Sequence, residues 1–155
     1  MLKHCTAALV LAASIAFSAT QAAADAQGSP YIEVLVRSTK MWTGEDLPPY
    51  PTGKPELSVL KITIPPKSRL PLHMHPVMNV AYVAQGTVKI QTSEGKILDL
   101  QQDDVMIEIV DIWHEGINEG DVPTHLIVFY AGVLDEPVTI YADPAQALQP
   151  VDGGN

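Results

Sequence analysis

The sequence has little cysteine and little positive charge. Its 155 residues include one cysteine, and 9 lysine and arginine residues stand against 18 aspartate and glutamate residues. The formal net charge of −9 argues against nucleic-acid binding, which needs clustered basic side chains to neutralise phosphates. It argues equally against electrostatic attachment to anionic lipid. We therefore expect neither nucleic acid nor a membrane surface among the partners of the mature chain.

The sequence also lacks a hydrophobic run long enough to span a bilayer. Residues 5–19 are apolar and uncharged, which is roughly 15 residues against the ~20 that a spanning helix needs. Lys3 precedes this run, and small residues with two Ala-x-Ala patterns follow it at residues 22–26. This layout is typical of a secretory signal peptide. We predict a signal peptide over residues 1–24, cleaved between residues 22 and 26, and a periplasmic or secreted protein.

The single cysteine, Cys5, lies inside that segment. Cleavage would remove Cys5 and Lys3 but no acidic residue, so the mature chain would have no disulfide and no thiol chemistry. The roughly 130 residues that remain are enough to bury a core without covalent cross-links. One domain is the natural number for this length.

Turn-forming residues are frequent, with 13 prolines and 10 glycines, and this disfavours a bundle of long helices. Residues 57–64 alternate between apolar and polar side chains, as a strand does. Short strands separated by turns indicate an all-β sandwich or barrel. The other predicted strands cover residues 31–36, 70–75, 77–84, 88–92, 96–100, 105–110, 112–117 and 125–131.

This pattern divides the chain into four segments. The signal peptide, residues 1–24, is followed by an N-terminal strand and a proline-rich arm over residues 25–56. Residues 57–141 are predicted to form a β-barrel, and residues 142–155 a loose tail. The arm carries Trp42 and Tyr50, which could cap the barrel or mediate a dimer.

Three of the five histidines follow a pattern suited to metal binding. His73 and His75 are two residues apart, so on a strand both point to the same face and can share one cation. His114 follows a later predicted strand. A bare pair of this kind is also common on strand surfaces. His125 matches no such pattern, and we expect it to be structural or exposed.

The spacing around these histidines resembles the two motifs of the cupin superfamily, in particular its small single-domain type-2 group. The first motif is G-x5-HxH-x3,4-E-x6-G, which the chain matches at His73, His75 and Gly86. The second is G-x5-PxG-x2-H-x3-N, which it matches at His114 and Asn118. The resemblance spans about residues 57–131. It implies a double-stranded β-helix (jelly-roll) barrel, in which His73, His75 and His114 converge on a metal.

The chain also departs from both motifs. Asn79 stands where the family has its glutamate ligand, and Ile109 replaces a proline. The motif glycines are replaced by Lys67, Asp103 and Asp111.

Asn79 is the departure that bears most on the metal. Because an amide oxygen is neutral, three imidazoles and Asn79 would leave the charge of a divalent ion uncompensated by protein. Such a site would favour an anionic ligand, with Asn79 either on the metal or beside it. Imidazole binds Zn, Cu, Fe and Ni alike, so the cofactor is predicted only as a divalent transition metal: Fe, Mn, Ni, Cu or Zn. The alternative is a cupin that kept its fold and lost its metal.

Glu108 is the predicted catalytic residue. It lies in the otherwise apolar segment VMIEIV, where a buried charge is costly. The resemblance implies that this position points into the barrel, where a carboxylate could act as a general acid or base. The alternative is a charge on the outer face of an edge strand.

A fold of this kind supports several functions. The favoured prediction is a metal-dependent periplasmic enzyme that acts on a small oxygenated or anionic molecule by dioxygenase-type chemistry. Hydrolysis, isomerisation and lyase chemistry with Glu108 as the base stay open. The alternatives are a non-catalytic ligand-binding or sensing module, and a metal-free structural or sugar-epimerase-like cupin. The resemblance further implies a homodimer formed by strand exchange, with residues 31–36 as the exchanged strand.

Overall fold

The computed structural model describes residues 30–149 and residue 151. Within this range, residues 30–34 belong to a first compact unit and the residues from Leu35 onward to a second. The second unit contains every strand of the described part. No helix of the described residues combines the length and the apolar character that crossing a membrane requires. The predicted signal peptide, residues 1–24, lies outside the described residues.

Ten strands and one short 3-10 turn, Pro144–Gln146, make up the regular structure of these residues. In chain order the strands are β1 Pro55–Ile64, β2 Ser68–Arg69, β3 His73–Met74, β4 Asn79–Gln85, β5 Thr87–Thr92, β6 Ile97–Gln101, β7 Val105–Ile107, β8 His114–Asn118, β9 Thr124–Val133 and β10 Ile140–Tyr141.

The strands form two antiparallel sheets. The four-stranded sheet has the order β1-β9-β4-β7. The six-stranded sheet has the order β10-β3-β8-β5-β6, and β2 also pairs with β8. All-β structure, predicted from the short alternating segments, is confirmed.

Three details differ from the predicted strands. Residues 70–75 do not form one strand, because Pro71 has no N–H to donate to a ladder and separates β2 from β3. The short strand β10 was not predicted. The structure has no strand over residues 31–36, and the side chains of Tyr31, Ile32 and Val34 are exposed.

The core lies between the two sheets and follows the alternation of each strand. Inward positions on β4, β9 and β5 are apolar and almost fully buried; they include Ala81, Val83, Leu126, Val128, Val88 and Ile90. A second, smaller cluster joins Met41 of the arm to Ile109 and Val110, which follow β7. The arm therefore packs on the segment between β7 and β8.

The backbone keeps the glycine turns of the motifs even where the residue is not glycine. Lys67, Asp103 and Asp111 have φ values of 55°, 74° and 59°, a region that residues with a Cβ rarely adopt. At Gly86, where φ is 78°, a Cβ would lie 2.8 Å from the carbonyl oxygen of Pro123. Three of the four motif glycines are therefore replaced, but the backbone at these positions keeps the positive φ that glycine would adopt.

Candidate metal centre

Three buried histidines meet inside the barrel. His73 lies on β3, His75 follows it directly, and His114 begins β8 opposite His73. The ring centroids are 4.4 Å apart for His73 and His114, 4.9 Å for His73 and His75, and 5.1 Å for His75 and His114. One potential ligand atom from each ring lies within 4.8 Å of the other two. We call these three residues the histidine cluster.

The backbone fixes the orientation of each ring in the cluster. His73 Nδ1 lies 2.7 Å from the carbonyl oxygen of Pro71, and His114 Nδ1 lies 2.9 Å from that of Ile112. His75 Nδ1 lies 2.9 Å from the carbonyl oxygen of Val138. A carbonyl can only accept, so each Nδ1 carries the proton and donates. In a neutral ring this leaves the Nε2 lone pair free to bind a metal, and it is the usual arrangement behind ligating histidines.

Oxygen-bearing side chains face the cluster from the other sheet. Tyr130 on β9 pairs with Asn79 on β4. The register of β4 and β7, continued by one residue, places Glu108 opposite Asn79, and the Glu108 amide donates to the Asn79 carbonyl oxygen at 3.2 Å. All three residues are at most 6% exposed. We call Tyr130, Asn79 and Glu108 the oxygen row.

Glu108 makes the closest approach to the histidines. Its Oε2 lies 3.0 Å from His75 Nε2 and 3.8 Å from His114 Nε2. Despite these distances, Oε2 is buried without a hydrogen bond of acceptable geometry among the described residues. The Oδ1 atom of Asn79 is buried without a partner as well. A buried amide oxygen without a donor, beside a buried carboxylate whose nearest partners are histidine nitrogens, indicates a site made for a cation or for bound donors.

The electrostatics divide the histidines into two kinds. Burial lowers the pKa of His73 to about 4, and the neighbouring His114 and His75 act in the same direction. Burial also lowers the pKa of His114. For His75 the effect of burial is outweighed by the Glu108 carboxylate, so its pKa is raised. Burial opposes the ionisation of Glu108, but the adjacent histidines, His75 first, hold its pKa below the usual value.

These directions leave His73 and His114 neutral at neutral pH, as metal ligands must be. Glu108 is ionised and contributes one negative charge, while its carboxylate favours a proton on His75 that a bound metal would have to displace. The expectation that the protein would leave a divalent ion without any counter-charge considered Asn79 alone, and the structure adds the Glu108 carboxylate beside the histidine cluster. A divalent cation beside Glu108 would keep one net positive charge and would still favour an anionic ligand.

The arm holds the segment that carries Glu108 from both sides. The Trp42 amide donates to the carbonyl oxygen of Ile107 at 3.1 Å, and the Val110 amide lies 3.2 Å from Met41 Sδ. The Asp111 amide then donates to the carbonyl oxygen of His75 at 2.9 Å. The carboxylate is therefore tied through the backbone to both the arm and the histidine cluster.

The donor set fits a divalent transition metal. Protein ligands bind such an ion at about 2.0–2.2 Å, so two ligands on one ion are separated by at most about twice that distance. The distances from Glu108 Oε2 to the two Nε2 atoms fall inside this limit. One ligand atom from each histidine lies within 4.8 Å of the other two, which is close to this limit. Imidazole and carboxylate together suit iron, manganese, nickel, copper and zinc.

The structure brings together all of the residues predicted for the site. His73, His75, His114, Asn79 and Glu108 are buried in one barrel interior, and Glu108 does not lie on an outer face. His125 stays outside, where its Nδ1 lies 3.0 Å from Thr63 Oγ1.

Sequence reasoning missed two residues that touch the cluster. The Tyr130 ring centroid is 5.3 Å from that of His75, and Thr139 Oγ1 lies 3.2 Å from His75 Nδ1. Alternation along β9 gives the signal for Tyr130, since this residue shares the inward face with Leu126 and Val128. Thr139 precedes a two-residue strand and has no comparable signal.

A family model described as "Cupin domain" matches residues 60–130. Residues 60–130 are therefore similar to a cupin domain. The matched range begins in β1 and ends in β9, so it includes the histidine cluster and the oxygen row. No curated protein matches the chain significantly.

Several solved structures are similar to the chain at low identity. The chain is similar to an oxalate decarboxylase from Lactobacillus farciminis, solved as a formate complex, with 23% identity and a TM-score of 0.50. It is also similar to the DMSP lyase DddQ from Ruegeria pomeroyi, with 17% identity and a TM-score of 0.49. Each match covers 56% of this chain, but only 26% of the decarboxylase and 43% of the lyase. The chain thus spans less than half the length of either.

A third neighbour is closer in size. An uncharacterized protein with a double-stranded beta-helix domain from Klebsiella pneumoniae matches with 19% identity and a TM-score of 0.49. The match covers 60% of this chain and 89% of that one. The predicted double-stranded β-helix barrel is confirmed by the two antiparallel sheets and by the match of residues 60–130 to the cupin model.

Proposed function

We propose that this cupin is a metal-dependent enzyme that acts on a small, oxygenated, anionic molecule. The observation that carries the proposal is the histidine cluster, whose Nδ1 atoms are all engaged by backbone carbonyls while a buried carboxylate oxygen lies 3.0 Å from His75 Nε2. A merely structural trio of histidines would not need three rings oriented in the same way. His73, His75 and His114 would hold the ion.

A bound transition metal would polarise an oxygen of the substrate or support redox chemistry with O2. The protein's own groups define what it would act on. One negative charge on Glu108 leaves the site positive once a divalent ion is bound, and this attracts a carboxylate or phenolate. Asn79 and Tyr130 offer polar groups at the edge of the same space, and the apolar core behind them excludes water.

We favour dioxygenase-type chemistry, with metal-assisted hydrolysis, isomerisation or lysis as competing reaction classes. The test is a turnover screen of the metal-loaded mature protein. Small hydroxy, keto and dicarboxylic acids and phenols are offered with and without O2, while oxygen uptake and substrate loss are followed.

We expect turnover of at least one anionic compound, abolished in His75→Ala and retained in His125→Ala. Oxygen uptake that tracks substrate loss supports the dioxygenase type. Substrate loss without O2 supports one of the competing classes. Saturable binding of such compounds without any turnover supports the non-catalytic ligand-binding or sensing module instead.

We also propose that the mature protein is exported and forms a homodimer. Export is supported by the n, h and c layout of residues 1–24. Dimerisation is supported by β1, an edge strand of its sheet that leaves Leu57 and Val59 more than 60% exposed. The apolar and exposed residues 31–36 are the segment that we expect to cross to the partner.

Two measurements test this pair of proposals. The mass of the protein recovered from the periplasm should correspond to a chain that begins between residues 23 and 27. Light scattering should give twice the mass of one chain, and deletion of residues 30–36 should return a monomer. An intact N-terminus, or a monomer at all concentrations, contradicts the respective proposal.

A further inference from the structure

The barrel contains two buried side-chain oxygens that could complete the coordination of a metal. One belongs to Asn79, at the motif position where the family has its glutamate, and the other to Glu108, directly after the neighbouring strand β7. Both Asn79 Oδ1 and Glu108 Oε2 lack a hydrogen-bond partner among the described residues. Their geometry and charge differ, and the difference decides between them.

The Glu108 carboxylate has the position of a ligand. Oε2 lies within 3.8 Å of Nε2 atoms from two of the three histidines, and those are the ring nitrogens left free by the backbone contacts. Two lone-pair-bearing atoms at 3.0 Å repel each other unless a proton or a cation lies between them. A metal that binds Nε2 of His75 and His114 would therefore also meet the carboxylate.

The Asn79 amide is turned toward its own strand. Its Nδ2 donates to the carbonyl oxygen of Val77 at 3.4 Å, a contact that ties the amide plane to the backbone. The Asn79 main-chain carbonyl accepts from Glu108. Asn79 thus supports the segment that presents Glu108, and a neutral amide adds nothing to charge compensation.

The two residues are direct neighbours across the β4–β7 pair. Cross-strand neighbours have Cβ atoms about 4.5–5.5 Å apart and point to the same face of the sheet. A carboxylate can therefore move from one strand to the other and still enter the same space. We infer that Glu108 is the fourth protein ligand of the metal, so that the carboxylate of the motif has been relocated from position 79 to position 108. The inference rests on the metal centre proposed above.

The test is cobalt(II) titration of the mature protein, followed by visible absorption and by competition with a chelator. Four proteins are compared: the wild type, Glu108→Gln, Asn79→Ala, and the exchange variant Asn79→Glu with Glu108→Gln. Circular dichroism and thermal melting of each protein check that the barrel is folded. The exchange variant keeps the number of carboxylates, and Glu108→Gln keeps the shape of the side chain.

We expect Glu108→Gln to weaken cobalt binding by at least tenfold and to change the ligand-field bands. Asn79→Ala should keep the wild-type bands, and its cobalt affinity should stay at least tenfold higher than that of Glu108→Gln. The exchange variant should recover a large part of the affinity lost in Glu108→Gln, because its carboxylate returns to the motif position.

Two results would overturn the inference while leaving the metal centre intact. One is a Glu108→Gln protein with wild-type bands, even if its affinity falls, since a charge acting from outside the coordination shell changes affinity alone. The other is a loss in Asn79→Ala as large as that in Glu108→Gln. A wild-type protein that binds no cobalt would instead contradict the proposed function itself.

Discussion

The two sheets of this barrel contribute different chemistry to one interior. The six-stranded sheet supplies nitrogen, through His73 and His114 on paired strands and His75 just beyond them. The four-stranded sheet supplies oxygen, through Tyr130 and Asn79 on paired strands and Glu108 directly after β7. Neither sheet has a complete ligand set. The difference teaches that the histidines alone do not define the site, because its charge comes from the opposite sheet.

The largest effect is expected from removing one residue of the histidine cluster. His75→Ala removes a ligand and leaves Glu108 buried without its closest partner. We expect metal binding to fall below detection, and unfolding of the metal-free protein to become easier by about 3–5 kcal/mol, as for other broken buried pairs. Elemental analysis and chemical denaturation measure the two effects. His125→Ala is the matched control, and a His75→Ala protein with full metal content would refute the role of the cluster.

The second largest effect is expected from adding a negative charge to the oxygen row. Asn79→Glu places a second carboxylate beside Glu108, where two negative charges repel each other. We expect the metal-free protein to melt at a lower temperature and the metal-induced rise in melting temperature to increase. Asn79→Gln controls for the added methylene. Weaker or unchanged metal binding in Asn79→Glu would mean that position 79 is not directed at the metal.

A smaller effect should follow from loosening the support of the oxygen side. Met41→Ala removes the arm side chain that contacts the Val110 amide and packs on Ile109. We expect a loss of stability of about 2–3 kcal/mol, in the range for a truncated core residue. We also expect weaker metal binding, because Glu108 lies on the segment held by the arm. Tyr50→Ala, on an exposed part of the same arm, should change neither quantity.

The smallest effect concerns a turn rather than a ligand. Asp111 has a positive φ where the motif has glycine, and its side chain is exposed. Asp111→Gly should raise the free energy of unfolding by up to about 1 kcal/mol, because glycine adopts this conformation without steric strain. Asp111→Ala should lower it, since alanine lacks the short polar side chain that lets aspartate tolerate this conformation. Denaturant titration distinguishes the two signs, and equal effects from both variants would contradict the argument.

Much of this fold could be predicted from the sequence because alternation and turns are local signals. The histidine spacing identified the nitrogen side for the same reason, since His73 and His75 share a face on any strand. The oxygen side is harder to predict, because it depends on register between distant strands. No local pattern shows that Glu108 lies opposite Asn79. Tyr130 is hard to recognise as a site residue because only its hydroxyl is polar and its ring resembles an ordinary core side chain.

Other errors have a similar cause. Residues 31–36 are rich in the β-branched and aromatic residues that strands favour, but a strand also needs a partner edge, which composition does not specify. The two-residue strand β10 is too short to carry a pattern, although it pairs with β3 beside His73. Residues 70–75 do not form one strand because Pro71 has no backbone N–H to donate to the neighbouring strand. Sequence alternation does not show at which positions such a donor is needed.

The central claim is that the two sheets together bind one metal ion. Elemental analysis tests it most directly, on mature wild-type and His75→Ala proteins purified from the periplasm without added metal. The account predicts close to one iron, manganese, nickel, copper or zinc ion per wild-type chain and almost none in the variant. A wild-type protein that contains no metal, and takes none up when dialysed against these ions, would contradict it.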